Sequence, residues 1–174
     1  DIGFTQTEIG CLAGIYDVTE LATAVKPRFL RYLLGEGRSD VIYFDPDIKI
    51  YDSLEHVSEL ARQHTIVLTP HTMAPLPRDG RRLDDFNILS SGVYNLGFIA
   101  VGAKSADFID WWWDRTRREA LVDPRRMMFT DQRWIDFVPS FFNHFILKDP
   151  ACNVAYWNLH ARDLTFDGGG YRIN

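Results

Sequence analysis

Val41-Ile42-Tyr43-Phe44 runs directly into Asp45-Pro46-Asp47-Ile48. Four apolar residues that end at two carboxylates spaced i and i+2 read as a buried parallel strand stopping at a site. In an open α/β sheet, ligands bind beyond the carboxyl ends of the strands. Residues i and i+2 of an extended chain point to one side. Asp45 and Asp47 can then share one ion, directly or with one of them acting through water. Carboxylates suit a hard divalent cation, and such a cation commonly holds phosphates. Pro46 lacks an N–H, which fits the end of a ladder, and it keeps Asp45 extended. The segment points to a metal–diphosphate site. The alternative is a surface turn, since Asp and Pro are both turn formers.

Three further clusters interrupt apolar segments. Asn95 and Gly97 lie within the strand-like run 93–101. Gly in a strand marks close approach of a ligand or another backbone, and Asn offers donors and an acceptor to sugar hydroxyls. A β-bulge with a bonded Asn accounts for the same pair. Asp131-Gln132 opens a short segment in which Asp also serves as a helix cap. Asn153-Val154-Ala155-Tyr156-Trp157-Asn158 alternates amides with large aromatics, a mixture that suits a sugar's apolar face and its hydroxyls. A core strand with an exposed edge reads the same way. His71 follows a short strand and a Thr-Pro turn, which places it at the sheet's carboxyl edge for a donor or acceptor contact. His56, His64, His144 and His160 have no partner pattern. The chain carries no G-x-S-x-G, P-loop or Cys-x-x-Cys motif.

The elements that must position these residues fit one α/β domain spanning 1–174. The length supports a single core, and 46% hydrophobic with 25% charged residues is a globular composition. A net charge of -5 without a basic run excludes nucleic acid as the main partner. Arg81-Arg82, Arg117-Arg118 and Arg125-Arg126 are scattered and read as solvated. Cys11 and Cys152 fit no metal spacing and suggest reduced thiols in a cytoplasmic protein. No apolar run is long enough to cross a bilayer, and no signal peptide is visible.

Helices are predicted over 20–25 with Thr19 as N-cap, over 28–34 with Pro27 in the first turn, and over 54–63 with Ser53 as cap. Two more are predicted from Ser105 onward and over 131–138. Strands are predicted over 41–44, 66–68, 93–101, 146–147 and 154–157. Residues 1–18 show no clear periodicity. Residues 70–89 read as a long loop, either a lid or a surface excursion. Trp111, Trp112 and Trp113 cannot all face one core from a helix, so at least one should be exposed or packed against a missing segment. Alternating strands and helices predict a mostly parallel sheet flanked by helices.

Six segments in order carry a resemblance. They are Thr19-Glu-Leu-Ala-Thr-Ala-Val-Lys26-Pro27, Tyr43-Phe-Asp-Pro-Asp47, Leu68-Thr-Pro-His71, Gly92-Val-Tyr-Asn-Leu-Gly-Phe98, Asp131-Gln132-Arg-Trp134 and Asn153-Val-Ala-Tyr-Trp-Asn158. Together, over about residues 16 to 163, the chain resembles bacterial glycosyltransferases of the GT-A fold, close to the glycogenin-like retaining group.

The resemblance implies a Rossmann-like fold whose N-terminal nucleotide-binding strand precedes residue 1 and whose metal-binding His follows residue 174. It implies that Asp45 and Asp47 bind Mn²⁺ or Mg²⁺ on the diphosphate of a nucleotide-sugar donor. Lys26 would contact the donor phosphate or sugar, with Asn95, Gly97 and His71 also on the donor side. Asp131 and Gln132 would be the catalytic pair beside the reacting carbon, and Arg133 stands where relatives often carry a second acid. Asn153, Tyr156, Trp157 and Asn158 would face a carbohydrate, glycolipid or protein acceptor. The implied activity is hexosyl transfer, with retention of configuration. Two alternatives stand beside it. One is a degenerate domain that binds carbohydrate or a partner without turnover. The other is a haloacid-dehalogenase-like phosphohydrolase, whose Asp-x-Asp continues with Gly-Thr where this chain has Ile48-Lys49.

Overall fold

The computed structural model describes residues 2–81 and 83–174; Arg82, of the pair Arg81-Arg82, lies outside the described residues. Three helices lead the chain: α1 Gln6–Ile15, α2 Val18–Ala24 and α3 Lys26–Gly35. Then come β1 Asp40–Phe44, α4 Glu55–His64, β2 Ile66–Pro70, α5 Asp85–Ser91, β3 Tyr94–Gly102 and α6 Ala106–Glu119. The remainder is made of short pieces. They are β4 Val122–Asp123, β5 Met128–Phe129, a 3₁₀ segment Gln132–Phe137, α7 Val138–Phe141, β6 Phe145–Ile146, a second 3₁₀ segment Tyr156–Ala161, and the hairpin β7 Leu164–Phe166 with β8 Tyr171–Ile173. No helix among the described residues is long and apolar enough to cross a membrane.

The main sheet has the order β1-β3-β2-β6. The class is α/β, but the expectation of a mostly parallel sheet is overturned. β3 runs antiparallel to both β1 and β2, and only β2 and β6 pair in parallel. The cause of the misreading is burial on both faces. Phe98-Ile99-Ala100-Val101 is fully covered, and such a run looks the same whichever way the strand points. β1 and β2, joined through α4, leave a gap that β3 fills from the opposite direction.

Alternation along β3 divides the core. Val41, Ile66, Leu68, Ile99 and Val101 face α3 and α6, where Leu30, Phe108, Ile109 and Trp112 close over them. Val67, Phe98 and Ala100 face α4 through Val57 and Ala61. Register explains the match: Val101 pairs with both Val41 and Ile66, and Ala100 with both Ile42 and Val67. Ala100 and Gly102 are small because α4 lies close. A Cβ on Gly102 would collide with the Ala61 carbonyl.

Several boundaries move. α2 is capped by Asp17, not Thr19, through a capping box with Glu20. Ser53 does not cap α4 as its N-cap; Leu54 holds that place, and the Ser53 hydroxyl accepts from the Glu55 N–H at 3.3 Å. The unassigned N-terminus forms α1, closed by a Thr5–Glu8 capping box. Its residue Leu12 joins Tyr16, Ala24 and Ala120 in a third core cluster. The three tryptophans take three directions without leaving the protein. Trp112 is in the main core, Trp111 packs on Phe141 and Phe142, and Trp113 packs on Phe4 with Arg28 over its ring. Trp111 and Trp113 stay half-buried, the latter against the chain's N-terminal segment.

Candidate active site

The site is built around an irregularity in β3. Leu68 pairs with Ile99, but Pro70 pairs with Tyr94, so the register slips between them. Residues 95–98 thus stand opposite Thr69 alone, and the strand bulges. The β-bulge reading of Asn95 and Gly97 holds, and both residues line a cleft.

The bulge frees backbone groups, and side chains satisfy them. The Asn95 Oδ1 accepts from the Gly97 N–H at 3.0 Å. The Gln132 Oε1 accepts from the Leu96 N–H at 3.4 Å, and Lys26 Nζ donates to the Leu96 carbonyl at 3.1 Å. The Thr69 hydroxyl lies 3.1 Å from the Phe98 carbonyl and accepts from Asn153 Nδ2 at 3.1 Å. Lys26 and Gln132 are therefore props of the bulge as well as cleft residues.

These bonds also fix a proton. Gly97 N–H can only donate, so Asn95 must present Oδ1 to it. Its Nδ2 then faces His71 Nε2 at 3.1 Å and donates. The proton of neutral His71 must be on Nδ1. Burial holds the His71 pKa below its ordinary value, with the Gly92 and Val93 carbonyls opposing that shift.

Charge concentrates at Lys26, which is 4% exposed. Its Nζ lies 3.3 Å from Asp45 Oδ1 and 3.3 Å from Asp131 Oδ2, and it stands over the Tyr43 ring at 4.9 Å. The position follows from α3. Pro27 supports the first helical turn, and that turn places Lys26 under β1 and β3. Asp131 is 1% exposed. Burial raises its pKa, while Lys26 and the Thr130 hydroxyl oppose the rise. Asp131 caps nothing: the 3₁₀ segment after it has no side-chain cap bond, so the capping alternative fails. Thr130 Oγ1 donates to Asp131 Oδ1 at 3.1 Å from a left-handed backbone, φ 51°. A β-branched residue there is strained by about 1–3 kcal/mol. Tyr43 OH donates to Asp45 Oδ1 at 2.8 Å, and burial pushes the phenol well above its ordinary value.

A cleft of about 300 Å³ opens over this floor. Lys26, Asp45, Asn95, Gly97, Asp131, Gln132 and His71 all line it, with Tyr156 and Trp157 on one side. Leu83, Asn87, Ile88 and Ser91 form another wall. The later part of the expected loop 70–89 is thus α5, nucleated by a capping box between Asp84 and Asn87. Three polar atoms among the described residues are buried without a hydrogen bond: His71 Nδ1, Asp131 Oδ2 and Trp157 Nε1. All three belong to cleft-lining side chains. Asp131 Oδ2 has Lys26 as a counter-charge but no hydrogen bond.

Other expected residues lie elsewhere. Pro46 and Asp47 form a turn closed by Ile48 N–H to the Asp45 carbonyl at 3.1 Å. The extended geometry expected for Asp45 and Asp47 is therefore replaced, because Pro at the second turn position favours this bend. Asp45 reaches the cleft, whereas Asp47 is exposed and does not line it.

The expected strand 154–157 is also corrected. Asn153 takes a left-handed φ of 54°, and Asn158 Oδ1 accepts from Ala155 N–H at 3.0 Å, which winds a 3₁₀ turn instead. Asn158 is fully buried and donates to the His71 and Asn153 carbonyls. Asn158 holds the backbone and Asn153 the Thr69 hydroxyl, while Tyr156, 75% exposed, and Trp157 face the cleft. Arg133 pairs with Asp136, three residues on. The signals that sequence reading passed over were Tyr43 and Thr130. One has an i, i+2 tyrosine–carboxylate spacing along a strand, and the other precedes a buried acid. No protein-family model, curated protein or solved structure matches the chain.

Proposed function

We propose that this chain carries the donor-side cleft of a metal-dependent glycosyltransferase that moves a sugar from a nucleotide diphosphate to an acceptor hydroxyl. The observation that carries the reading is one cleft whose lining gathers Lys26, Asp45, Asn95, Asp131, Gln132 and His71 around the β3 bulge. Ammonium, amide and carboxylate groups converging in a cleft are what a diphosphate and a sugar's hydroxyls would pair with. The ordered motifs of the resemblance add the nucleotide-sugar donor and the GT-A fold.

The residues fit a hard cation by donor type. The hydrogen bond and ion pair of Asp45 use Oδ1. A Cβ on Gly97 would come within 3.2 Å of Oδ2, so glycine keeps that oxygen approachable. Asp45 from the cleft floor would hold Mn²⁺ or Mg²⁺, and Asp47, turned out of the cleft, would reach the ion only through water. When bound, the cation supplies charge neutralisation to the leaving diphosphate. Lys26, itself buried, adds fixed positive charge at the cleft floor. Asn95 and the free amide nitrogen of Gln132 orient the sugar, and the exposed Tyr156 ring offers an acceptor a stacking face.

Gln132→Glu keeps the oxygen that holds Leu96 N–H but removes the amide donor. Expected is a fall in kcat of at least about tenfold with little change in donor KM. The measurement is nucleoside diphosphate release from UDP- and GDP-sugars with Mn²⁺. Normal kcat with a raised KM would contradict the assigned role. Donor binding without any turnover would favour a non-catalytic binding domain. Phosphate release through a covalent intermediate on Asp45 would favour the phosphohydrolase.

A further inference from the structure

On the α4 side of the sheet three unlike ligand side chains meet. His56 stands in the first turn of α4, and Asp149 and Cys152 flank the turn after β6. One ligand atom from each lies within 4.8 Å of the other two. The segments are distant in sequence and are brought together by packing. Val57 of α4 and Leu147 share a core cluster, and Cys152 packs against it.

The loop side of this cluster is already fixed. Asp149 Oδ1 accepts from Ala151 N–H at 2.8 Å, and Cys152 N–H donates to the Asp149 carbonyl at 3.1 Å. Arg162 ties the same turn by donating to the carbonyls of Pro150 at 2.7 Å and Cys152 at 3.0 Å. Its charge faces the cluster and tempers the affinity for a cation. The His56 side chain is exposed, with no hydrogen-bond partner among the described residues.

We propose that His56, Asp149 and Cys152 bind one zinc-type divalent cation, with water in the fourth position. Imidazole nitrogen, thiolate sulfur and carboxylate oxygen are zinc's ligand set. Sulfur and nitrogen ligands select against the Mg²⁺ or Mn²⁺ assigned to the cleft. At zinc's bond lengths, tetrahedral ligands lie roughly 3.3–3.6 Å apart. From a spacing of at most 4.8 Å the cluster closes by at most about 1.5 Å, and the exposed His56 side chain has the rotamer freedom to do so. Cys152 binds as thiolate, and its proton passes to solvent.

The ion joins α4 to a turn whose next residue, Asn153, donates to Thr69 beneath the β3 bulge. It therefore braces the cleft from outside and is separate from the Asp45 floor.

The test uses Co²⁺ as a spectroscopic probe and Zn²⁺ as competitor. One equivalent of Co²⁺ should give thiolate-to-cobalt charge-transfer absorption, which Zn²⁺ removes. Cys152→Ser should abolish the absorption, and Cys11→Ser should leave it. His56→Ala should weaken Zn²⁺ binding at least about tenfold. His56 is on the surface, so this variant tests the site even where Cys152→Ser lowers stability. Absence of the absorption in the wild type, its survival in Cys152→Ser, or unchanged Zn²⁺ affinity in His56→Ala would each overturn the proposal. Asp45→Asn should leave the absorption intact, so this site and the cleft reading can fail separately.

Discussion

Lys26 shows how one side chain can serve fold and site together. Its ammonium holds the Leu96 carbonyl of the bulge and balances Asp45 and Asp131. Removing it leaves Asp131 buried without its counter-charge, with the Thr130 hydroxyl still on Oδ1. Lys26→Met should therefore lower unfolding free energy by about 3 kcal/mol. Adding Asp131→Asn should recover a large part of that loss in urea titrations, because the stranded charge is gone. Additive losses would mean that the pair is not coupled. His71 makes a pH prediction of definite sign. Its folded pKa is depressed by burial, so the unfolded chain binds a proton at a higher pH than the native one. Stability is full above about pH 6.5 and falls as pH drops below it toward the folded value. The urea midpoint of the wild type should drop more between about pH 7.5 and about pH 5.5 than that of His71→Gln. Equal drops would contradict the burial of a neutral imidazole.

At the scale of elements, β3 is central, and two of its glycines do different jobs. Gly102 lets α4 approach, and a methyl there meets the Ala61 carbonyl. Gly97 clears the cleft, and a methyl there meets Asn95 Oδ1 at 2.9 Å and Asp45 Oδ2 at 3.2 Å. Gly102→Ala should destabilise by about 1–3 kcal/mol through overpacking, without weakening ligand binding in the folded fraction. Gly97→Ala should weaken donor-nucleotide binding about tenfold with a smaller loss of stability. Thermal unfolding and nucleotide titration of both variants would separate the two roles, and a reversed pattern would refute them. Here the sequence was half legible. Gly97 stood out inside an apolar strand, as did the Asp45 terminus of β1. The direction of β3 did not, because a strand covered on both faces carries no alternation to read. The 3₁₀ segment at Tyr156 and the helix α5 depended on local side-chain bonds from Asn158 and from Asp84 with Asn87, and the turn at Pro46 on a backbone bond from Ile48 to Asp45. Those bonds become visible only once the chain is folded.

At the scale of the molecule, the cleft opens at the bulge of β3 beside the ends of β1 and β2, while the two faces of the sheet pack on α3 with α6 and on α4. The cleft draws on α3, β1, β3, α5 and the segments after β5 and β6, so no single element contains it. Lys26, Asp45, Asn95, Gly97, Asp131, Gln132 and His71 were all named from sequence and all line it. Asp47, Asn153 and Asn158 were named with them but do not line it. On the proposed reading, Asp45 marks a metal-dependent nucleotide site. The most direct measurement is calorimetric titration of UDP and of GDP into the wild type and Asp45→Asn, each with and without Mn²⁺. Expected is binding of one nucleotide, dependent on Mn²⁺ and lost in a variant that unfolds at the wild-type temperature. Binding of neither nucleotide by the folded chain, or Mn²⁺-dependent binding that survives Asp45→Asn unchanged, would contradict it.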